Sequence, residues 1–181
     1  MMMMPALTTG VIFRNAQDSY KTFAQKAAYL LEEKDGNWFD LAGRTVECTK
    51  KMMALKVYLA LKTHGEQVFS DFITHTHQLA QHFAQMLRNQ DNFELAQNPQ
   101  SNILCFRFAP KGLSGEELNQ LNRKIRQEII EDGAFYIVQT VLDGKVYLRI
   151  TLMNPQTDSN IFSKLLIKVE AIARQFLAEQ H

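Results

Sequence analysis

Two runs of strand-forming residues, 135–142 and 145–153, are separated by only two residues, Asp143 and Gly144. A connection this short can join only antiparallel neighbours. Asp-Gly is a favoured type I′ pair because both residues tolerate positive φ. The sequence therefore predicts a β-hairpin, and this hairpin restricts the fold more than any other feature of the chain.

The two-residue turn also fixes which residues lie opposite each other in the hairpin. Val138 is predicted to pair with Arg149, and Thr140 with Tyr147. Because side chains alternate between faces, the second strand has an apolar face and a mixed face. The apolar face carries Val146, Leu148 and Ile150, and the mixed face carries Tyr147, Arg149 and Thr151.

The segments around the hairpin alternate between strand and helix. Residues 103–108 are β-branched and aromatic, which is typical of a strand. Ser114 and the glutamate three residues later form a capping box, which begins a helix that Gly133 ends. Asp158 caps the last helix. The order strand, helix, hairpin, helix predicts an α+β sandwich with an antiparallel sheet.

The N-terminal half is predicted to be mainly helical. A short buried strand is expected at 8–13 and a helix at 18–34. A helix at 46–62 is followed by a second at 66–88, whose apolar residues keep a 3.6-residue period over five turns. The polar stretch Asn89–Ser101 is the best candidate for a boundary.

Composition excludes several classes of function. A net charge of +1 gives no field for nucleic acid or anionic lipid. No apolar run reaches about 18 residues, so no membrane span is predicted. Cys48 and Cys105 are too few for a disulfide framework or a zinc site, and a reducing cytoplasm is the expected location.

Few side chains suggest chemistry by themselves. His75, His77 and His82 lie on one predicted helix, but their spacing prevents them from chelating one metal. Cys48 is interpreted as a small apolar packing residue, and partial thiolate character near a helix start is the alternative. Arg149, mid-strand between aromatic and β-branched neighbours, is either a surface residue or a fixed clamp for a carboxylate.

Two segments occur in order along the chain, with the residues GRTVECTKKMMALKVY at 43–58 and LRITLMNP at 148–155. Together, and at this spacing, they resemble the group II pyridoxal-phosphate-dependent decarboxylases of aromatic amino acids, glutamate and diaminobutyrate. The resemblance covers essentially the whole chain. It implies an α/β architecture of fold type I, in which this chain is the C-terminal part. Residues 1–45 would be the end of the large cofactor-binding domain, 46–101 a linking helix pair, and 102–181 the α+β small domain.

The resemblance also implies a pyridoxal phosphate cofactor and carboxy-lyase chemistry on an amino acid. In the family a His-Lys pair supplies the Schiff-base lysine, and no His-Lys pair occurs in this chain. The Met-rich start, Met1 to Pro5, resembles the family segment immediately C-terminal to that pair, so the lysine is expected just upstream of Met1. A cloning scar or a wrongly assigned start codon is the other explanation of this start. The chain alone is therefore expected to be inactive and to lack a catalytic residue.

One family role carries over to a residue of this chain. Arg149 stands where the family places the arginine that binds the substrate α-carboxylate. The family's mobile loop carries a tyrosine in several members, whereas Leu31–Gly43 contains none, so no catalytic acid is assigned. The implied partners are the missing N-terminal half, a second copy in a homodimer, and an amino-acid substrate. A non-catalytic α+β module for oligomerisation or small-ligand binding is the alternative.

Overall fold

The computed structural model describes residues 10–23, 45–47 and 51–179. They fall into two compact units, one ending at Gly65 and one beginning at Glu66. The three-part division of the chain at residues 45 and 101 stays a prediction.

The first unit contains helices α1 (Ala16–Phe23) and α2 (Ala54–His64). The strand predicted at 8–13 is wrong for its described part, because residues 10–13 form no regular structure. A strand needs a neighbour for its backbone N–H and C=O groups, and no described strand pairs with this segment. The helix predicted at 18–34 overlaps α1, and its continuation lies outside the described residues, as do Cys48 and Leu31–Gly43.

Helix α2 begins at Ala54 rather than at Val46, so the predicted start was wrong. Its N-cap, Met53, makes no side-chain capping bond, and α2 buries none of its residues. Helices gain most of their stability from packing, and β-branched residues such as Val46 lower helix propensity. The helix ends at His64, two residues beyond the predicted end, and the N–H of Gly65, at φ 74°, donates to the Leu61 carbonyl at 2.9 Å.

The second unit is a four-stranded antiparallel sheet with three helices on one face. Its elements are α3 (Gln67–Arg88), β1 (Phe93–Leu95), β2 (Ile103–Phe108), α4 (Gly115–Asp132), β3 (Val138–Leu142), β4 (Lys145–Thr151) and α5 (Ser159–Ala178). The strand order β1-β2-β4-β3 puts β4 inside the sheet. The predicted antiparallel α+β arrangement is confirmed, with both hairpin strands shorter than expected.

Local capping and turn signals predicted this unit well. Asp143 and Gly144 both have positive φ, 49° and 74°. The Glu117 N–H donates to Ser114 Oγ at 3.4 Å, and the Glu117 carboxylate accepts from the Ser114 N–H at 2.6 Å. Asp158 accepts from the Ile161 N–H at 2.8 Å.

The polar stretch 89–101 is not only a connection. It contains β1, which pairs with β2 so that Glu94 lies opposite Arg107. The prediction missed this strand because three residues are too few to show an alternating pattern.

The core lies between the sheet and the helices. Phe83 of α3 stacks on Phe162 of α5 with ring centres 4.2 Å apart, and Phe106 of β2 meets Phe162 edge-on at 6.0 Å. Leu104 and Leu148 complete the sheet side, and all five of these residues are buried. Such packing of aromatic and aliphatic side chains supplies the main driving force for folding.

Two asparagines of α4 tie this helix to the strand ends. Asn122, fully buried, donates to the Phe108 carbonyl at 2.9 Å and accepts from the Phe108 N–H at 2.9 Å. Asn119 accepts from the Val146 N–H at 2.8 Å and donates to the Gly144 carbonyl at 2.9 Å. The helix thereby supplies partners to backbone groups where the sheet ladder ends.

Candidate functional site

Arg149 lies on the inner strand β4, on the sheet face opposite the helices. Cys105 of β2 is its partner on one side and Val138 of β3 on the other, so the predicted register is confirmed. Its chain neighbour Leu148 points into the core. All three residues in this row, Cys105, Arg149 and Val138, are half-buried.

The Arg149 guanidinium makes no hydrogen bond or ion pair with any residue in the described part of the chain. The charge of Arg149 affects the acidity of the Cys105 thiol opposite it. Burial raises the pKa of Cys105, and the positive charge of Arg149 opposes that rise. A half-buried arginine without an internal anion is suited to binding one from outside, because its planar fork matches a carboxylate.

The next row of the same face holds a hydrogen-bonded network centred on Glu94. Arg107 donates from Nε to Glu94 Oε2 at 2.9 Å and also from Nη2 to the same oxygen. The Tyr147 hydroxyl donates to Glu94 Oε1 at 2.9 Å, and Lys145 Nζ lies 3.6 Å from that oxygen. The Arg107 guanidinium also lies over the Tyr147 ring, 5.3 Å from its centre.

This network changes the acidity of its members. Burial raises the pKa of Glu94, but hydrogen bonds from Arg107 and Tyr147 outweigh it, so the net pKa is lowered. Burial, and then the bond to Glu94, raise the pKa of Tyr147 to about 12. Glu94 is therefore held as a carboxylate and Tyr147 as a neutral phenol.

Sequence reasoning did not identify Glu94, Arg107 or Tyr147 as a group. Glu94 belongs to the strand that was missed, and it lies 53 residues from Tyr147 in sequence. Phe93, Glu94 and Leu95 place a charged side chain between two apolar ones, but three residues are too few to predict a strand.

The other candidates form no site together. His77 lies 3.3 Å from the Gln81 amide nitrogen, and His82 lies 2.9 Å from the Ser159 hydroxyl. Within the described ranges, no three His, Cys, Asp or Glu side chains are grouped as metal ligands would be. None of the helices described is both long and apolar enough to cross a bilayer.

A cleft of about 340 Å³ lies between α3 and residues 100–102, lined in part by Phe72, Thr76 and His77. Arg149 does not line this cleft. The candidate site is therefore a position on the sheet face and is separate from this cleft.

None of the described lysines is buried in this chain. An amine that forms a Schiff base has to be neutral and enclosed next to its cofactor. Lys124, Lys145 and Lys168 pair with carboxylates at the surface, and Lys62 is exposed above the Tyr58 ring. Each of the remaining lysines in the described ranges is exposed or half-buried.

Comparison with known proteins finds one family model, the pyridoxal-dependent decarboxylase conserved domain, which matches residues 1–109. The aromatic-L-amino-acid decarboxylase of Bacillus atrophaeus is 28% identical over 168 residues, which are 91% of this chain and 35% of that protein. The L-2,4-diaminobutyrate decarboxylase of Rhizobium meliloti is 24% identical over 177 residues, 96% of this chain and 35% of that protein. The chain thus spans about a third of the length of these relatives.

Solved structures show the same fold. The glutamate decarboxylase domain of the Vibrio parahaemolyticus diaminobutyrate-pyruvate transaminase and L-2,4-diaminobutyrate decarboxylase superposes with TM-score 0.62 at 29% identity, over 68% of this chain and 26% of that one. Catharanthus roseus tryptophan decarboxylase, solved with L-tryptophan, gives TM-score 0.66 at 20% identity, over 75% of this chain and 29% of that one.

Proposed function

Because the chain belongs to the pyridoxal-dependent decarboxylase family, we propose that it is the C-terminal portion of an amino-acid decarboxylase in which Arg149 binds the substrate carboxylate. The observation that carries the proposal is the placement of Arg149. It stands on an inner strand, half-buried, and no described residue neutralises it. The proposed substrate class follows from the relatives, whose names describe them as decarboxylases of aromatic amino acids and of diaminobutyrate.

Pyridoxal phosphate supplies the electron sink for this chemistry when it is bound. The contribution of Arg149 is to hold the carboxylate by a charge-assisted fork, which fixes the orientation of the bond that breaks. A hydrogen bond to a charged group contributes about 1.5–3 kcal/mol. Strand pairing on both sides and the packing of Leu148 keep the arginine backbone in place.

The chain alone is proposed to be inactive, since it contains no His-Lys pair and its described lysines do not fit the imine. The partners needed for activity would be the upstream part of the enzyme and a second copy in a homodimer. The small number of cysteines supports a cytoplasmic location.

A titration with pyridoxal phosphate tests the inactivity directly. The purified chain should develop no absorbance band of a conjugated imine. Borohydride should leave no pyridoxyl group on any lysine. A reduced pyridoxyl-lysine mapped to this chain would overturn the claim.

The role of Arg149 can be tested in a hybrid with the Bacillus atrophaeus relative, in which this chain replaces the matched third. Cofactor absorbance shows separately whether the hybrid assembles. Arg149→Gln should lower kcat/KM about 10- to 100-fold, the equivalent of one charged hydrogen bond. Inhibition by the amine product, which lacks the carboxylate, should not change. Lys111→Gln, at an exposed cation, is the matched control. An assembled hybrid that tolerates Arg149→Gln would refute the assignment.

The second candidate, a non-catalytic module, is favoured by one observation. The unit from Glu66 onward has its own continuous core, and two of its helices begin at side-chain caps. Such consistency between local signals and packing is typical of a region that folds by itself.

A further inference from the structure

The described strands place two arginines but only one carboxylate on the sheet face opposite the helices. The arginines are Arg107 and Arg149, and the carboxylate is Glu94. Which arginine Glu94 binds therefore decides whether Arg149 is available to an external anion.

Both oxygens of Glu94 are already engaged. Oε2 accepts two hydrogen bonds from Arg107, and Oε1 accepts one from Tyr147 and faces Lys145. Arg107 is almost fully buried, with 6% of its side chain exposed. A buried arginine needs this partner, so the pair is expected to be persistent.

Glu94 lies near enough to Arg149 to be an alternative partner. The two residues are two strands and two positions apart, which puts their Cα atoms about 12 Å from each other at ordinary sheet spacings. Two extended side chains of this length nearly bridge that distance. The other side chains in the Arg149 row, Cys105 and Val138, carry no negative charge that could take its place.

We propose that Arg107 and Tyr147 are positioning residues that hold Glu94 away from Arg149 and so keep the carboxylate clamp unoccupied. This inference rests on the proposed function of Arg149. It adds that the clamp depends on a second arginine which does not itself touch the substrate. Arg107→Gln should free Oε2 of Glu94, which would then pair with Arg149 from inside the protein.

The thiol of Cys105 reports on this competition because it lies directly across from Arg149. In the full chain carrying Cys48→Ser, Cys105 is the one remaining cysteine. It can be alkylated with iodoacetate, which carries a carboxylate, or with iodoacetamide, which is neutral and of similar size. The ratio of the two rates isolates recruitment of the carboxylate, since thiol acidity and access affect both reagents.

The ratio should fall about threefold or more in Arg149→Gln, as expected for loss of one partly exposed charge pair. Arg107→Gln should lower it nearly as far, and the double variant Arg107→Gln with Glu94→Gln should restore it, because no internal carboxylate then remains. Restoration distinguishes positioning from general damage to the fold. Tyr147→Phe removes one neutral donor and leaves the ionic bonds from Arg107 to Glu94 in place, so it should give a smaller decrease. It serves as the test if Arg107→Gln fails to fold.

The outcomes separate the two proposals. If Arg149→Gln leaves the ratio unchanged, Arg149 does not recruit carboxylates and the clamp assignment itself is wrong. If Arg149→Gln lowers the ratio but neither Arg107→Gln nor Tyr147→Phe does, the clamp stands and the positioning role is wrong. A decrease in Arg107→Gln that the added Glu94→Gln does not reverse also rejects the positioning role.

Discussion

Replacing Asn122 with alanine should be among the most destabilising single changes in the second unit. The amide of Asn122 supplies a donor to the Phe108 carbonyl and an acceptor to the Phe108 N–H, both at 2.9 Å. Asn122 is fully buried and Phe108 is 4% exposed, so water cannot easily replace these bonds. Each buried polar group left without a partner costs about 1–3 kcal/mol. Two such groups give a loss of about 4 kcal/mol.

Urea unfolding of the full chain, followed by far-ultraviolet circular dichroism, measures this loss. With a denaturant slope of about 2 kcal/mol per molar, 4 kcal/mol corresponds to a decrease of about 2 M in the midpoint. Gln127→Ala is the control, because Gln127 lies on the same helix but is exposed and donates to the exposed Glu131 at 2.8 Å. Its cost should stay within about 0.5 kcal/mol. A loss below about 1 kcal/mol in Asn122→Ala would show that the end of β2 finds other partners.

Three further changes test separate features. Asp158→Ala should cost about 1 kcal/mol in thermal unfolding by removing the cap of α5, and Asp158→Ser should retain most of it; equal losses in the two variants would deny the cap a role. The pKa of Tyr147 is raised to about 12, so stability from its neutral form is present below about pH 10 and lost as pH rises to about 12. Alkaline absorbance titration should show that Tyr147 ionises at a higher pH than an ordinary tyrosine, and Glu94→Gln should lower its pKa. An unchanged pKa in Glu94→Gln would contradict the network. Limited trypsin digestion should cleave within residues 1–45 before 66–179, whereas resistance of residues 1–45 would favour the non-catalytic module.

The hairpin and the helix caps could be predicted because their signals are local. The Asp-Gly pair fixed both the turn and the register of Arg149 against Val138. The Ser114 box and the Asp158 cap each depend on residues three positions apart. The start of α2 could not be predicted in this way, since no side chain caps it and none of its residues is buried.

For a related reason, the position of Arg149 could be predicted from the sequence, but the residues around it could not. The position of Arg149 follows from alternation along one strand, which a sequence displays directly. Its freedom from an internal partner depends on Glu94, which reaches this face only after β1 pairs with β2. Long-range pairing of a three-residue strand leaves almost no trace in the sequence, so the network around Glu94 became visible only in the fold.

The inner position of β4 has a consequence for changes in chain length. An inserted residue at the Asp143–Gly144 turn that the loop does not hold shifts one hairpin strand by one position, which exchanges the two faces of that strand. Rotation of β4 would carry Arg149 into the aromatic core and would break its pairing with β2, whereas rotation of the edge strand β3 breaks no other pairing. Length variation at the tip of the hairpin should therefore be absorbed by β3. The side chain of Arg149 should therefore keep its face of the sheet even when residues are inserted in a loop only five residues away.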